Sequence, residues 1–109
     1  MRRVEKPWGW ELIWAETDQY VGKLLHINAG QRLSKQYHEV KEETVYVVTG
    51  VLYNYDEHDE LQKFMPNEAF HVTPGQVHRF GAGKGPVEVI EVSTPHLDDV
   101  VRLADDYKR

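Results

Sequence analysis

Cysteine is absent from the 109 residues. That excludes disulfides and thiolate metal ligands, so any bound metal would be held by His, Asp, Glu or an amide oxygen. There is no long apolar run, so no membrane span is expected. Met1-Arg2-Arg3-Val4-Glu5 has no apolar signal core behind it, which points away from secretion and toward the cytoplasm. Basic residues are in the minority, 13 Lys and Arg against 18 Asp and Glu for a net charge of -5, which disfavours a nucleic-acid surface. A small anionic ligand stays compatible, because local basic residues outweigh net charge at a site. Repeats, linkers and low-complexity stretches are also missing, so residues 1–109 are expected to form a single domain.

What is present is a period-two pattern cut at short intervals by Gly and Pro, which reads as all-β. Strands are expected in Trp8–Trp14, Tyr20–Asn28, Leu33–His38, Glu43–Thr49, Ala69–Val72, Val77–Gly81 and Val87–Ser93. Val51–Asp56 and Leu61–Met65 read as a hairpin around Glu57-His58-Asp59-Glu60. Leu97–Tyr107 shows apolar residues at helical spacing and is expected to form a short C-terminal helix over a barrel end. A closed antiparallel barrel fits this order.

Four residues carry the chemistry. Gln36 and His38 stand at i and i+2, the spacing that puts two side chains on one face of a strand. Glu43 enters the next strand after a charged turn and shares a face with Val45 and Val47. His78 follows the turn Thr73-Pro74-Gly75 and shares phase with Phe80. Converging inside a small barrel, they offer two nitrogens and two oxygens to a divalent metal. Zinc is the first choice, and Mn, Fe, Co or Ni would also fit such a donor set.

Around them, Lys23 runs in phase with Leu25 and Ile27. It is either a proton-transfer lysine of lowered pKa or a mouth lysine that snorkels to water. Glu91 is a second proton-transfer candidate, or else an exposed strand carboxylate. Arg32, Ser34 and Arg79 could hold a phosphate, since guanidinium forks match phosphate oxygens; each could equally be a solvated surface group. His26, His58, His71 and His96 are not expected to be ligands. Trp8, Trp10 and Trp14 fit core or dimer packing better than sugar stacking.

These residues sit in a pattern that resembles a known family. Gly30, Gln36, His38, Glu43 and Gly50 have the spacing of the first cupin motif, with Gln in place of its first His, and Thr73-Pro74-Gly75-Gln76-Val77-His78 resembles the second. Lys6-Pro7-Trp8-Gly9, Gly30–His38, Val77-His78-Arg79-Phe80, Ile90-Glu91-Val92 and Asp98–Arg102 follow the order seen in type II phosphomannose isomerase domains. In that family a histidine-rich stretch ending in Glu-His-Trp follows the metal His; here it is His38-Glu39-Val40-Lys41-Glu42-Glu43-Thr44-Val45, with the ligand positions kept.

The resemblance implies a cupin-type antiparallel β-barrel (a double-stranded β-helix or jelly roll) without the nucleotidyltransferase part to which such domains are usually fused. It implies a metal-dependent isomerase of the mannose 6-phosphate/fructose 6-phosphate type, working through a metal-stabilised cis-enediolate. The alternatives are a non-catalytic metal-containing module that binds a sugar or other small molecule, and, more remotely, a cupin oxygenase. The expected partners are a small sugar phosphate and a second copy in a homodimer, with no nucleic acid and no membrane.

Overall fold

The computed structural model describes residues 1–108. Among them there is no helix, and hence none long and apolar enough to cross a membrane. Eleven strands run in chain order: β1 Arg2–Lys6, β2 Gly9–Glu16, β3 Val21–Ile27, β4 Lys35–Tyr37, β5 Glu43–Thr49, β6 Leu52–Tyr55, β7 Leu61–Phe64, β8 Ala69–Val72, β9 Phe80–Ala82, β10 Val87–Ser93 and β11 Val101–Ala104. They form a six-stranded sheet in the order β1-β2-β3-β10-β5-β8, a three-stranded sheet β7-β6-β9 and a pair β11-β4. Every pairing is antiparallel.

The alternation in β3, β5 and β10 decides what goes inside. Leu25, Ile27, Val45, Val47, Val87 and Val89 are buried and pack with Leu52, Phe80 and Ala82 from the three-stranded sheet. The core therefore lies between the sheets. β-Branched residues are well suited to these half-buried pleated surfaces. At one end of the same inward rows the apolar residues give way to Lys23 on β3, Glu43 on β5 and Glu91 on β10. One end of the barrel is thus greasy and the other carries charge.

The expected C-terminal helix is replaced by turns and β11, which pairs with β4 through Val101 opposite Tyr37 and Arg102 opposite Gln36. Two things outweigh the helical spacing. Val100-Val101 is β-branched, and β4 has an open edge that needs hydrogen-bond partners. The N-terminus also holds a strand that the apolar pattern does not announce: β1 pairs with β2 from Arg2 opposite Ile13 to Lys6 opposite Gly9. The strands expected at Leu33–His38 and Val77–Gly81 are shorter and displaced. They meet instead through isolated bridges, Gln36 with His78 and Arg32 with Gly81.

Candidate metal centre and its cavity

His38 leaves β4, His78 approaches β9, and Glu43 opens β5. The Gln36–His78 bridge, with main-chain hydrogen bonds of 3.0 and 2.9 Å in the two directions, fixes the first two segments side by side. The three side chains are all buried. His38 Nε2 lies 3.0 Å and His78 Nε2 3.2 Å from the same Glu43 Oε1, and the three donor atoms lie within 4.8 Å of one another.

The protonation of the rings follows from their far sides. His38 Nδ1 is 2.6 Å from the carbonyl of Asp99, and His78 Nδ1 is 3.0 Å from the carbonyl of Gln76. A carbonyl only accepts, so both Nδ1 atoms carry hydrogen and both Nε2 atoms present lone pairs inward. His78 Nε2 makes no hydrogen bond to any of the described residues. Unless a ring takes a second proton, two nitrogen lone pairs confront a carboxylate oxygen with nothing positive between them. A divalent cation satisfies all three together. Metal–ligand bonds of about 2.0–2.2 Å put neighbouring donors about 3 Å apart, close to the two histidine-to-Glu43 separations. Ring N–H groups held by main-chain carbonyls are also the usual support of histidine ligands. Gln36 borders the same cavity as His38, and its Oε1 accepts the Ser34 hydroxyl at 2.7 Å.

Beyond the cluster lies an open cavity of about 270 Å³. Lys23 and Glu91, the two proton-transfer candidates, both border it and stand opposite one another in the β10–β3 register. Their charges are shared with residues the strand reading passed over. Lys23 Nζ is 3.4 Å from Glu11 Oε2. Lys41 Nζ lies 3.4 Å from Glu91 Oε2 and 3.7 Å from Glu43 Oε2. Burial alone would raise the Glu43 carboxyl, but its contacts with Glu91, His38 and His78 and the Lys41 charge hold it well below the usual carboxylate range. Burial, and then the Glu43 charge, push Glu91 up to about 8. Burial would lower Lys41, yet the carboxylates of Glu91 and Glu43 outweigh it and hold its pKa above the ordinary lysine value.

The residues expected to hold a phosphate lie elsewhere. Arg32 makes a two-pronged contact with Asp106 at 2.6 and 3.1 Å. Arg79 donates to the same carboxylate at 2.9 Å and to the Leu33 carbonyl at 2.9 Å. Neither borders the cavity, and Ser34 is buried against Gln36. Instead the cavity mouth carries Arg2, Lys6 and Arg102.

Lys41 could not be found from sequence, since Glu39–Glu42 looks like a solvated charged turn; it is buried because Asp99 accepts the amides of residues 39, 40 and 41 and folds that turn inward. Glu11 was findable, because it shares the inward phase of Ile13. The other histidines stay apart. His26 pairs with Glu88 and stacks on Trp10, His71 pairs with Glu42 on the outside, His58 is exposed, and His96 bonds Thr94.

A family model described as mannose-6-phosphate isomerase C-terminal matches residues 1–105. The chain is 35% identical over 112 residues to a mannose-1-phosphate guanylyltransferase of Escherichia coli (strain K12), covering 99% of this chain and 23% of that protein. It thus spans about a quarter of the length of the curated relatives it matches. Among solved structures it resembles a sugar phosphate isomerase of the cupin superfamily from Silicibacter pomeroyi DSS-3, with a TM-score of 0.70 at 21% identity over 78% of this chain and 58% of that one. It also resembles a protein with a double-stranded β-helix domain from Klebsiella pneumoniae, with a TM-score of 0.75 at 20% identity over 85% and 77% of the two chains. At these identities the structural likeness speaks for the fold.

Proposed function

This cupin barrel belongs to the mannose-6-phosphate isomerase C-terminal family, and from that membership we propose that it is a metal-dependent sugar-phosphate isomerase of the mannose 6-phosphate/fructose 6-phosphate type. The observation that carries the reading is a buried three-donor cluster whose His38 borders the same cavity as Lys23 and Glu91, the two proton-transfer candidates. Gln36, His38, Glu43 and His78 are the proposed ligands. A divalent ion held by them would supply Lewis-acid stabilisation for negative charge on sugar oxygens.

The chain's own residues would do the rest. Glu91, raised by burial and the Glu43 charge and held by Lys41, is suited to take and return the proton that moves between C1 and C2. Lys23, one register position across, adds positive charge where an enolate-like oxygen develops. Trp8, Leu25 and Leu33 give the cavity an apolar wall that limits water.

The test is incubation of the metal-loaded protein with mannose 6-phosphate in deuterated water. Deuterium at C2 together with fructose 6-phosphate is the expected result; binding without either product would end the isomerase reading. A second reading, a sugar-binding module without turnover, draws support from two observations. Lys23 and Glu91 are each already engaged, with Glu11 and Lys41 respectively, and the relative from Escherichia coli is called a guanylyltransferase.

A further inference from the structure

Although the chain is acidic overall, the cavity is not. Five basic side chains border it against three acidic ones, so its field favours an anion. Of the three cations at the mouth, two are already matched. Arg2 lies 3.0 Å from Glu16, and Lys6 lies 3.9 Å from Glu11. Arg102 has no ion pair or hydrogen bond with any of the described residues. The two arginines that sequence reasoning favoured are in the opposite condition, since both are neutralised by Asp106.

Position singles out Arg102 as well. It stands opposite Gln36 in the β11–β4 register, and Gln36 is bridged to His78 on its other side. Register-paired residues project from the same face of a sheet. Arg102, Gln36 and His78 thus form one row across three neighbouring segments. Strands pair about 4.8 Å apart, so Arg102 starts one step outward from Gln36 and about two steps, or about 10 Å, from His78. A ligand with its reacting oxygens against the donor cluster and an anionic group at its other end would span that row. A guanidinium is suited to the task, because its planar fork matches two phosphate oxygens.

We infer that Arg102 is the anion-reading residue of this cavity: it binds the phosphate of the sugar phosphate, with Lys6 and Arg2 of β1 reinforcing the field. This deepens the isomerase reading and rests on it for the identity of the site, although the binding can be tested without turnover. Losing one charge-assisted contact of this kind costs about tenfold or more in affinity.

The experiment is calorimetric titration of the metal-loaded full chain, its Arg102→Gln form and its Arg102→Lys form with mannose 6-phosphate and with mannose. The unmodified protein is expected to prefer the phosphorylated sugar by about tenfold or more, in line with a charge-assisted contact. R102Q should lose that preference while keeping its affinity for mannose, and R102K should retain part of it. Retained mannose binding separates anion reading from damage to the fold. Two results would overturn the inference: an unmodified protein that does not discriminate between the two sugars, or an R102Q form that discriminates as well as the unmodified one. The isomerase reading fails differently. If mannose 6-phosphate binding depends on Arg102 but no deuterium enters C2, turnover is excluded and the subsite stands. If R102Q turns over with an unaltered KM, the subsite falls and the isomerase stands.

Discussion

His78 Nε2 and Glu43 Oε1 stand 3.2 Å apart, buried, with an acceptor on each side of the gap. The Gln76 carbonyl uses the only hydrogen a neutral His78 ring carries. That pair, with His38 completing it, makes metal loading the most direct property to measure. Binding of an ion to the folded chain alone stabilises it by about 2.7 kcal/mol when the free ion is at a hundred times its Kd. The expected outcome is a thermal midpoint that rises on addition of zinc or manganese and falls back with chelator. His38→Ala should show no such rise and should carry less than a tenth of the metal found in the unmodified protein by elemental analysis. Equal metal content in both would remove the cluster from consideration.

Lys41 gives a stability prediction. Its ammonium is the buried counter-charge of both Glu43 and Glu91. Removing one partner of a buried pair strands the other and costs about 3–5 kcal/mol. Lys41→Met should therefore lower the unfolding free energy of the metal-free protein by about 3 kcal/mol or more in a denaturant titration. Adding Glu91→Gln to that variant should restore part of the loss above about pH 8, where Glu91 would otherwise be a stranded carboxylate. A loss of less than about 0.5 kcal/mol, the size of an ordinary surface substitution, would mean the ammonium is not needed there.

The acid limb of stability should report Asp99. The main-chain amide of Glu39, followed by those of Lys41 and Val40, holds its carboxyl at about 2 rather than 3.8. A carboxylate lowered by folding contributes stability that is complete above its ordinary pKa and is lost as pH falls through the folded value. The window is therefore from about pH 4 down to about pH 2, and Asp99→Ala should show a smaller fall across it than the unmodified protein. Parallel acid profiles for the two proteins would count against the assignment.

Two glycines separate backbone strain from steric exclusion. Gly50 and Gly75 both have positive φ, 81° and 83°, where an L side chain costs about 1–2 kcal/mol. A Cβ on Gly75 would meet nothing within 4 Å, whereas one on Gly50 would lie 2.3 Å from the Pro86 carbonyl oxygen. Gly75→Ala should cost about 1 kcal/mol, and Gly50→Ala clearly more. Equal costs in denaturant titrations would mean that the β5–β6 turn yields freely.

Legibility from sequence varied with how local each signal is. Glu43–Thr49, Ala69–Val72 and Val87–Ser93 match their strands at both ends, because β-branched alternation is bounded there by turn residues such as Gly50 and Pro86. The inward phase of Lys23, Glu43 and His78 was readable for the same reason. What could not be read depends on pairing between distant segments. Leu97–Tyr107 satisfies a helical period on paper, and the open edge of β4, more than 60 residues earlier, helps make a strand of part of it. With that pairing invisible, Arg102 could not be seen opposite Gln36. Arg32 and Arg79 looked available because Asp106, which occupies both, is remote in the chain. Lys41 is buried by a carboxylate 58 positions further on.

The stretch from Leu97 to Tyr107 is a fastening. It caps the 39–41 turn through Asp99, zips onto β4 through β11, and closes on Arg32 and Arg79 through Asp106. A chain cut before Val101 would bare the edge of β4 that now faces β11, and bare strand edges recruit other chains. Such a truncation would forfeit one wall of the cavity and also open a new edge through which copies could add to one another.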